Sequence, residues 1–214
     1  MTMDAYVKKR NRMAAEKVIA ALRRRHMDGE YAETKEEALS LALAHLPEGA
    51  SVGWGGSMSI EEIGLKEAVL CGPYRAINRD AARNAEEKKA LERACFSADY
   101  YLMSTNAITE DGILVNLDGR GPRVAALCYG PDHVLVIAGM NKLCADIEAA
   151  VSRVRHTAAP VNALRFPGDT PCRRDGICRD CLMDGCICSD LVIMRNSMIP
   201  GRIRVILVGE DLGY

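Results

Sequence analysis

The chain has 214 residues, a formal net charge of −1 and an aromatic content of 5%. That length suits one domain with an appendage, and an apolar share of 49% supplies a sizeable core. The near-neutral charge and scarce aromatics argue against nucleic acid as a partner, and no run approaches the ~20 apolar residues of a membrane span.

The N-terminus is a basic amphipathic segment without the apolar centre of an export signal, so the expected compartment is the cytoplasm. Residues 4–27 read as a helix with Ala5, Met13, Val18, Ile19 and Leu22 as its apolar stripe. Its basic residues, Lys8 to Arg12 and Arg23 to Arg25, suit a solvated face. Thr34 and Glu37 form a capping-box pattern for a second helix that runs to Leu46 and stops at Pro47. Residues 1–47 are therefore expected as a helical arm on an α/β domain spanning 48–214.

Residues 50–54 form a short strand that enters Gly55-Gly56-Ser57 and then a helix through Ile60, Ile63 and Leu65. Glycines let the backbone approach a ligand closely, and Ser57 or Ser59 can cap the helix or donate to an anion. The loop suits a phosphate or carboxylate, or it is a plain turn between strand and helix. Gly53 and Gly55 lack the third glycine of a dinucleotide fingerprint. A break at 70–74 and a connection at 75–80 precede a charged helix over 81–96 and a strand over 98–104.

Residues 105–119 hold Asn106, Thr109, Glu110, Asp111, Asn116 and Asp118 between apolar residues. They read as two hairpin turns, Asp111-Gly112 and Asp118-Gly119, or as the rim of a ligand site. Residues 123–129 are expected as a strand, and 133–138 as a strand buried on both faces. Asn141 and Lys142 follow it, a helix covers 143–155, and the chain ends in a strand over 202–208. The order of elements predicts a mainly parallel sheet, in which ligands bind at the carboxyl ends of strands. Gly55 to Ser57, Asn106 to Asp111 and Asn141-Lys142 all follow strands, so they are expected to share one cleft. In it Glu110 and Asp111, with pKa values raised by burial, are candidate acid or base groups. Lys142 is a candidate for pairing with an anion or stabilising an enolate-like charge, and Asn106 and Asn141 for orienting a carboxylate or carbonyl.

Before the last strand, Cys172, Cys178, Cys181, Cys186 and Cys188 are spaced C-x5-C-x2-C-x4-C-x-C. The Cys-x2-Cys pair suits a metal chelate completed by further thiolates, and zinc and an iron–sulfur cluster are both open. A redox-responsive cluster and a loop of reduced thiols are the other two readings.

Gly53-Trp54-Gly55-Gly56-Ser57, Asn106-Ala107-Ile108-Thr109-Glu110-Asp111-Gly112, Val115-Asn116-Leu117-Asp118-Gly119, Gly139-Met140-Asn141-Lys142 and Cys178-Arg179-Asp180-Cys181 occur in this order. Together they resemble the LUD domain family of lactate-utilisation proteins, in its short stand-alone form. The resemblance implies a fold like ribose phosphate isomerases and CoA transferases, with the anion loop at Gly55, Gly56 and Ser57. It also implies a role in organic-acid utilisation through a small anionic metabolite, an iron–sulfur partner protein, and a homodimer. By the same resemblance the metal ligands are Cys172, Cys178, Cys181 and Cys188, with Cys186 spare. A non-catalytic ligand sensor and a metal or redox protein working through the cysteines are the alternative functions.

Overall fold

A computed structural model describes residues 3–214; the first two residues of the expected arm lie outside the described residues. Helix α1 (Met3–Arg24) buries Val18 and Leu22 of the expected stripe completely, with Ala15 beside them, while Met13 lies exposed at 53%. Strand β1 (Asp28–Ala32) and helix α2 (Lys35–Ala44) follow. Thr34 caps α2 by accepting from Glu37 N at 3.3 Å, while the Glu37 carboxylate reaches back to Glu33 N at 2.7 Å. Next come β2 (Ser51–Trp54), the short helices α3 (Met58–Glu62) and α4 (Leu65–Cys71), β3 (Arg75–Ile77), α5 (Ala85–Ala94) and β4 (Tyr100–Met103). The hairpin β5 (Ala107–Thr109) and β6 (Leu114–Asp118) leads to α6 (Pro122–Cys128) and β7 (His133–Gly139). Strand β8 (Leu143–Cys144), α7 (Ile147–Arg153), a π turn, α8 (Ala159–Ala163), α9 (Pro171–Asp175), β9 (Asp190–Met194) and β10 (Ile203–Val208) complete the chain.

Six strands form one parallel sheet in the order β1-β10-β7-β4-β2-β3. Along β7 the side chains alternate between two cores. Val134, Val136 and Ala138 face α1 and α6, and Leu135 and Ile137 face the layer of α2, α3 and α4. All five are at most 2% exposed, as expected for a parallel strand covered on both faces. A second, four-stranded sheet in the order β8-β5-β6-β9 packs its Ile108 and Leu114 into the α1 side of the core. Its other face meets α7 through Ala107, Ile113, Val115, Ala150 and Val154.

The α/β class with a mainly parallel sheet stands. Several local expectations change, and the helix expected over 143–155 opens instead with strand β8, which pairs with β5, before α7 begins at Ile147. The segment expected as an arm supplies β1, which pairs with β10 from Asp28 opposite Arg204 to Ala32 opposite Val208, so residue 47 does not divide two bodies. Residues 75–77 form the edge strand β3 rather than a connection. The strand expected over 123–129 is helix α6. Gly121 at φ +83° turns the chain, and Pro122 at the first helical position is pre-set for the helix. Among the described residues no helix is long and apolar enough to cross a membrane.

Candidate functional site

The carboxyl ends of β2, β4 and β7 lie side by side in the parallel sheet, and each leads within a few residues to a polar side chain. β7 runs into Asn141 and Lys142. Lys142 is only 3% exposed, and its Nζ lies 2.9 Å from both Ser59 Oγ and Ser104 Oγ. Ser104 follows β4 immediately, and Ser59 sits in α3 beyond the Gly55-Gly56-Ser57 loop. Among the described residues no carboxylate is within ion-pair distance of this amine. Burial, and then the positive charges of Arg153 and Arg123, pull Lys142 down to about 7, against a weaker opposing pull from Glu62.

Two guanidinium groups frame the amine. Arg123, on α6, donates to Ser104 O at 3.0 Å, Asn116 Oδ1 at 2.6 Å, Asn106 Oδ1 at 2.7 Å and Leu117 O at 3.0 Å. It also pairs with Asp118 at 2.9 Å. Its charge is balanced and its donors are engaged. Among the described residues Arg153, at the end of α7, donates only to carbonyl oxygens, to Asn106 O at 2.6 Å and Asn141 O at 3.2 Å, and has no carboxylate partner.

Gly55 is required by packing, because a Cβ there would come within 2.9 Å of the Tyr101 hydroxyl and 3.0 Å of Arg123 Cγ. Gly56 faces Arg79, whose Nη2 would be 3.5 Å from an added Cβ. Arg79 is largely buried and stands between Glu92 and Asp80, each at 3.5 Å. Ser57 caps α3, accepting from Ile60 N at 3.4 Å. Asn141 holds the segment after β10. Its Oδ1 accepts from Leu212 N at 3.2 Å, and its Nδ2 lies 3.4 Å from Gly213 O. Gly213 N donates to Glu62 at 3.1 Å. The Gly213 backbone therefore lies over the amine: a Cβ on it would be 3.4 Å from Lys142 Nζ and 3.0 Å from Ser59 Oγ.

The structure thus gathers Gly55, Gly56, Ser57, Asn106, Asn141 and Lys142 along one edge and separates Glu110 and Asp111 from them. The base of the β5–β6 hairpin, with Asn106, Asn116 and Asp118, faces this edge through Arg123. The tip docks on α1, where Gly112 approaches Leu22 N and Ala21. Asp111 pairs with Arg25, and Glu110 N bonds Cys144 O at 2.9 Å. Asp111 is also held below the usual carboxylate value by the Thr109 hydroxyl and by Arg25, the reverse of the raised value expected for a buried base. Sequence reasoning missed Ser104, Arg123 and Arg153. Ser104 carried one signal, as the first polar residue after the apolar end of β4. The two arginines were hidden by their places in α6 and α7.

The cysteine segment lies apart. Cys186 Sγ and Cys188 Sγ are 3.0 Å apart, and Cys172 Sγ contacts Thr170 Oγ1 instead. Burial, a contact with Cys186, and the nearby Cys178 and Cys181 push the Cys188 thiol up to about 12. Cys186 thus stands beside Cys188, with Cys178 and Cys181 near enough to act on the same thiol. Thiol donors suit zinc or iron, but among the described residues no three His, Cys, Asp or Glu side chains gather as a coordination shell.

No curated protein matches the chain. Among solved structures, a DUF162 family protein from Deinococcus radiodurans superimposes with a TM-score of 0.56 at 13% identity, covering 92% of this chain and 98% of that one. That likeness supports the fold. The LUD domain model matches residues 15–208, from inside α1 to the end of β10. The match spans both sheets and every residue of the lysine edge except the covering segment, and on it the chain belongs to the LUD domain family, which is associated with lactate-utilisation proteins.

Proposed function

We propose that this chain binds a small organic acid of the hydroxy- or oxo-acid class at the carboxyl edge of the parallel sheet, where Lys142 engages it. The observation that carries the reading is a buried amine bonded to two hydroxyls and to no carboxylate. Burying a cation without a counter-ion is costly, and a fold that only needed packing would place an apolar residue there. An incoming carboxylate supplies the missing negative charge, and Arg153, bonded only to carbonyls, adds to the attraction. The acid enters by displacing the Gly213 backbone, which Asn141 and Glu62 hold over the amine. Family membership agrees with an acid of lactate's size. The reading extends to an enzyme or enzyme component, with Lys142 as its reactive group.

The test is thermal unfolding with lactate, pyruvate, acetate and ribose 5-phosphate, on the wild type and on Lys142→Met. At a ligand concentration of about a hundred times Kd, binding stabilises by about 2.7 kcal/mol, well within detection. The expected outcome is a rise in Tm with lactate or pyruvate that Lys142→Met abolishes. A wild type indifferent to every carboxylate, or a Lys142→Met protein with the full rise, would refute the reading.

A further inference from the structure

We propose that Lys142 forms an imine with the carbonyl carbon of a 2-oxo acid, which makes oxo acids, rather than hydroxy acids, the reactive ligands of this site. The proposal rests on the organic-acid reading above and adds a covalent step to it.

The geometry around Nζ favours an amine nucleophile over the obvious alternative, a serine activated by lysine. Ser104 Oγ donates its own proton to Thr105 O at 3.2 Å, so it meets Lys142 as an acceptor. Its proton points away from the amine, which cannot then remove it. Nζ also donates to Ser59 Oγ. A neutral amine with both N–H groups donated in this way keeps its lone pair for the remaining direction. That direction is bounded by the Gly213 backbone, the one neighbour here that belongs to a short covering segment rather than to the sheet. Two hydroxyls thus orient the amine, and the face left to the lone pair is the one a ligand would occupy. With the pKa at about 7, a large share of the protein carries the free amine near neutral pH.

The step balances without an oxidant or reductant. The nitrogen lone pair adds to the carbonyl carbon, and the π pair moves to oxygen, which takes a proton. The resulting carbinolamine loses that oxygen as water while nitrogen gives up its second proton, leaving a carbon–nitrogen double bond. Ser59, beside both Nζ and Gly213, is placed to pass its proton to the departing oxygen and take up the one the nitrogen gives up. Lactate carries a tetrahedral carbinol carbon where pyruvate has its carbonyl, so it forms no adduct.

The experiment reads binding and chemistry on the same samples. Wild type, Lys142→Met and Ser104→Ala are incubated with pyruvate or lactate, at pH values on either side of about 7. One portion is melted; the other is treated with sodium borohydride and analysed by intact mass and peptide mapping. The expected result is a Tm rise with pyruvate and a stable mass gain equal to pyruvate less one oxygen atom. The gain maps to the peptide holding Lys142, is greater above about pH 7, and is absent with lactate and in Lys142→Met. Ser104→Ala, which retains the amine but loses one orienting hydroxyl, should be trapped on the order of tenfold more slowly. A Tm rise with no adduct, or with adducts only on other lysines, overturns the imine and leaves the binding reading standing. No Tm rise with either acid and no adduct overturns both.

Discussion

Lys142 ties the stability of the protein to pH through a folded pKa that burial holds far below its ordinary value. Its folded pKa is about 7, against an ordinary value of 10.5. Between those two values the unfolded chain holds a proton that the folded chain has released. Stability therefore rises as pH climbs through the window, with a slope approaching about 1.4 kcal/mol per pH unit, and this contribution is flat below about 7. Replacing Lys142 with Met keeps the volume and removes the titration. Urea unfolding should find Lys142→Met more stable than the wild type near pH 7, with the gap closing as pH rises toward 10.5. A gap that stays constant with pH would mean that Lys142 is charged and satisfied in the folded state, and the reading of its two serine partners would be wrong.

At the scale of elements, the β5–β6 hairpin carries the clearest lesson about what a sequence reveals. Its turns and short strands were legible from Asp111-Gly112, Asp118-Gly119 and the apolar residues between them. Which end meets the ligand was not, because that depends on α1, whose contact with Gly112 lies some ninety residues away in the chain. The same limit hid β1 and β3, short strands of five and three residues whose identity comes from pairing partners rather than from local pattern. Helix α6 was misread for a local reason: Val124, Ala125, Ala126 and Leu127 fit either period, and Pro122 decides between them. The placing of the hairpin can be tested. Gly112 has φ +84°, and a Cβ there would lie 2.9 Å from Leu22 N, so Gly112→Ala combines backbone strain with a clash against α1. It should cost about 2 kcal/mol or more in urea unfolding. It should leave the ligand-induced rise in Tm intact, because the tip does not touch Lys142. Loss of that rise in a folded Gly112→Ala protein would place the tip in the site after all.

For the whole molecule the question is how two sheets act as one body. The sequence pattern announced the parallel sheet, and it placed Gly55, Asn106, Asn141 and Lys142 at strand ends where the structure also has them. It showed the β5–β6 hairpin but not the sheet that β8 and β9 complete around it, because those strands are short and mixed in direction. Arg123 joins the two. Its fork reaches Ser104 beside β4 and Asn106, Asn116, Leu117 and Asp118 around the hairpin, filling acceptors that would otherwise be buried without partners. Lysine carries the same charge but cannot span five acceptors from one planar group. Arg123→Lys should therefore destabilise by about 3 kcal/mol, because most of that fork is left unmet in a site only 8% exposed. It should also weaken organic-acid binding, since Ser104 O loses its donor and the Lys142 partner shifts with it. Unfolding should nonetheless remain one transition, because Ile108 and Leu114 of the second sheet share a core with Val136 and Val205 of the first. Urea melts followed by both tryptophan fluorescence and far-ultraviolet circular dichroism would check this, Trp54 reporting on the parallel sheet and circular dichroism on the whole chain. Two separated transitions in Arg123→Lys would show that the shared core is too weak to couple the sheets, and that the arginine alone holds the hairpin against the lysine edge.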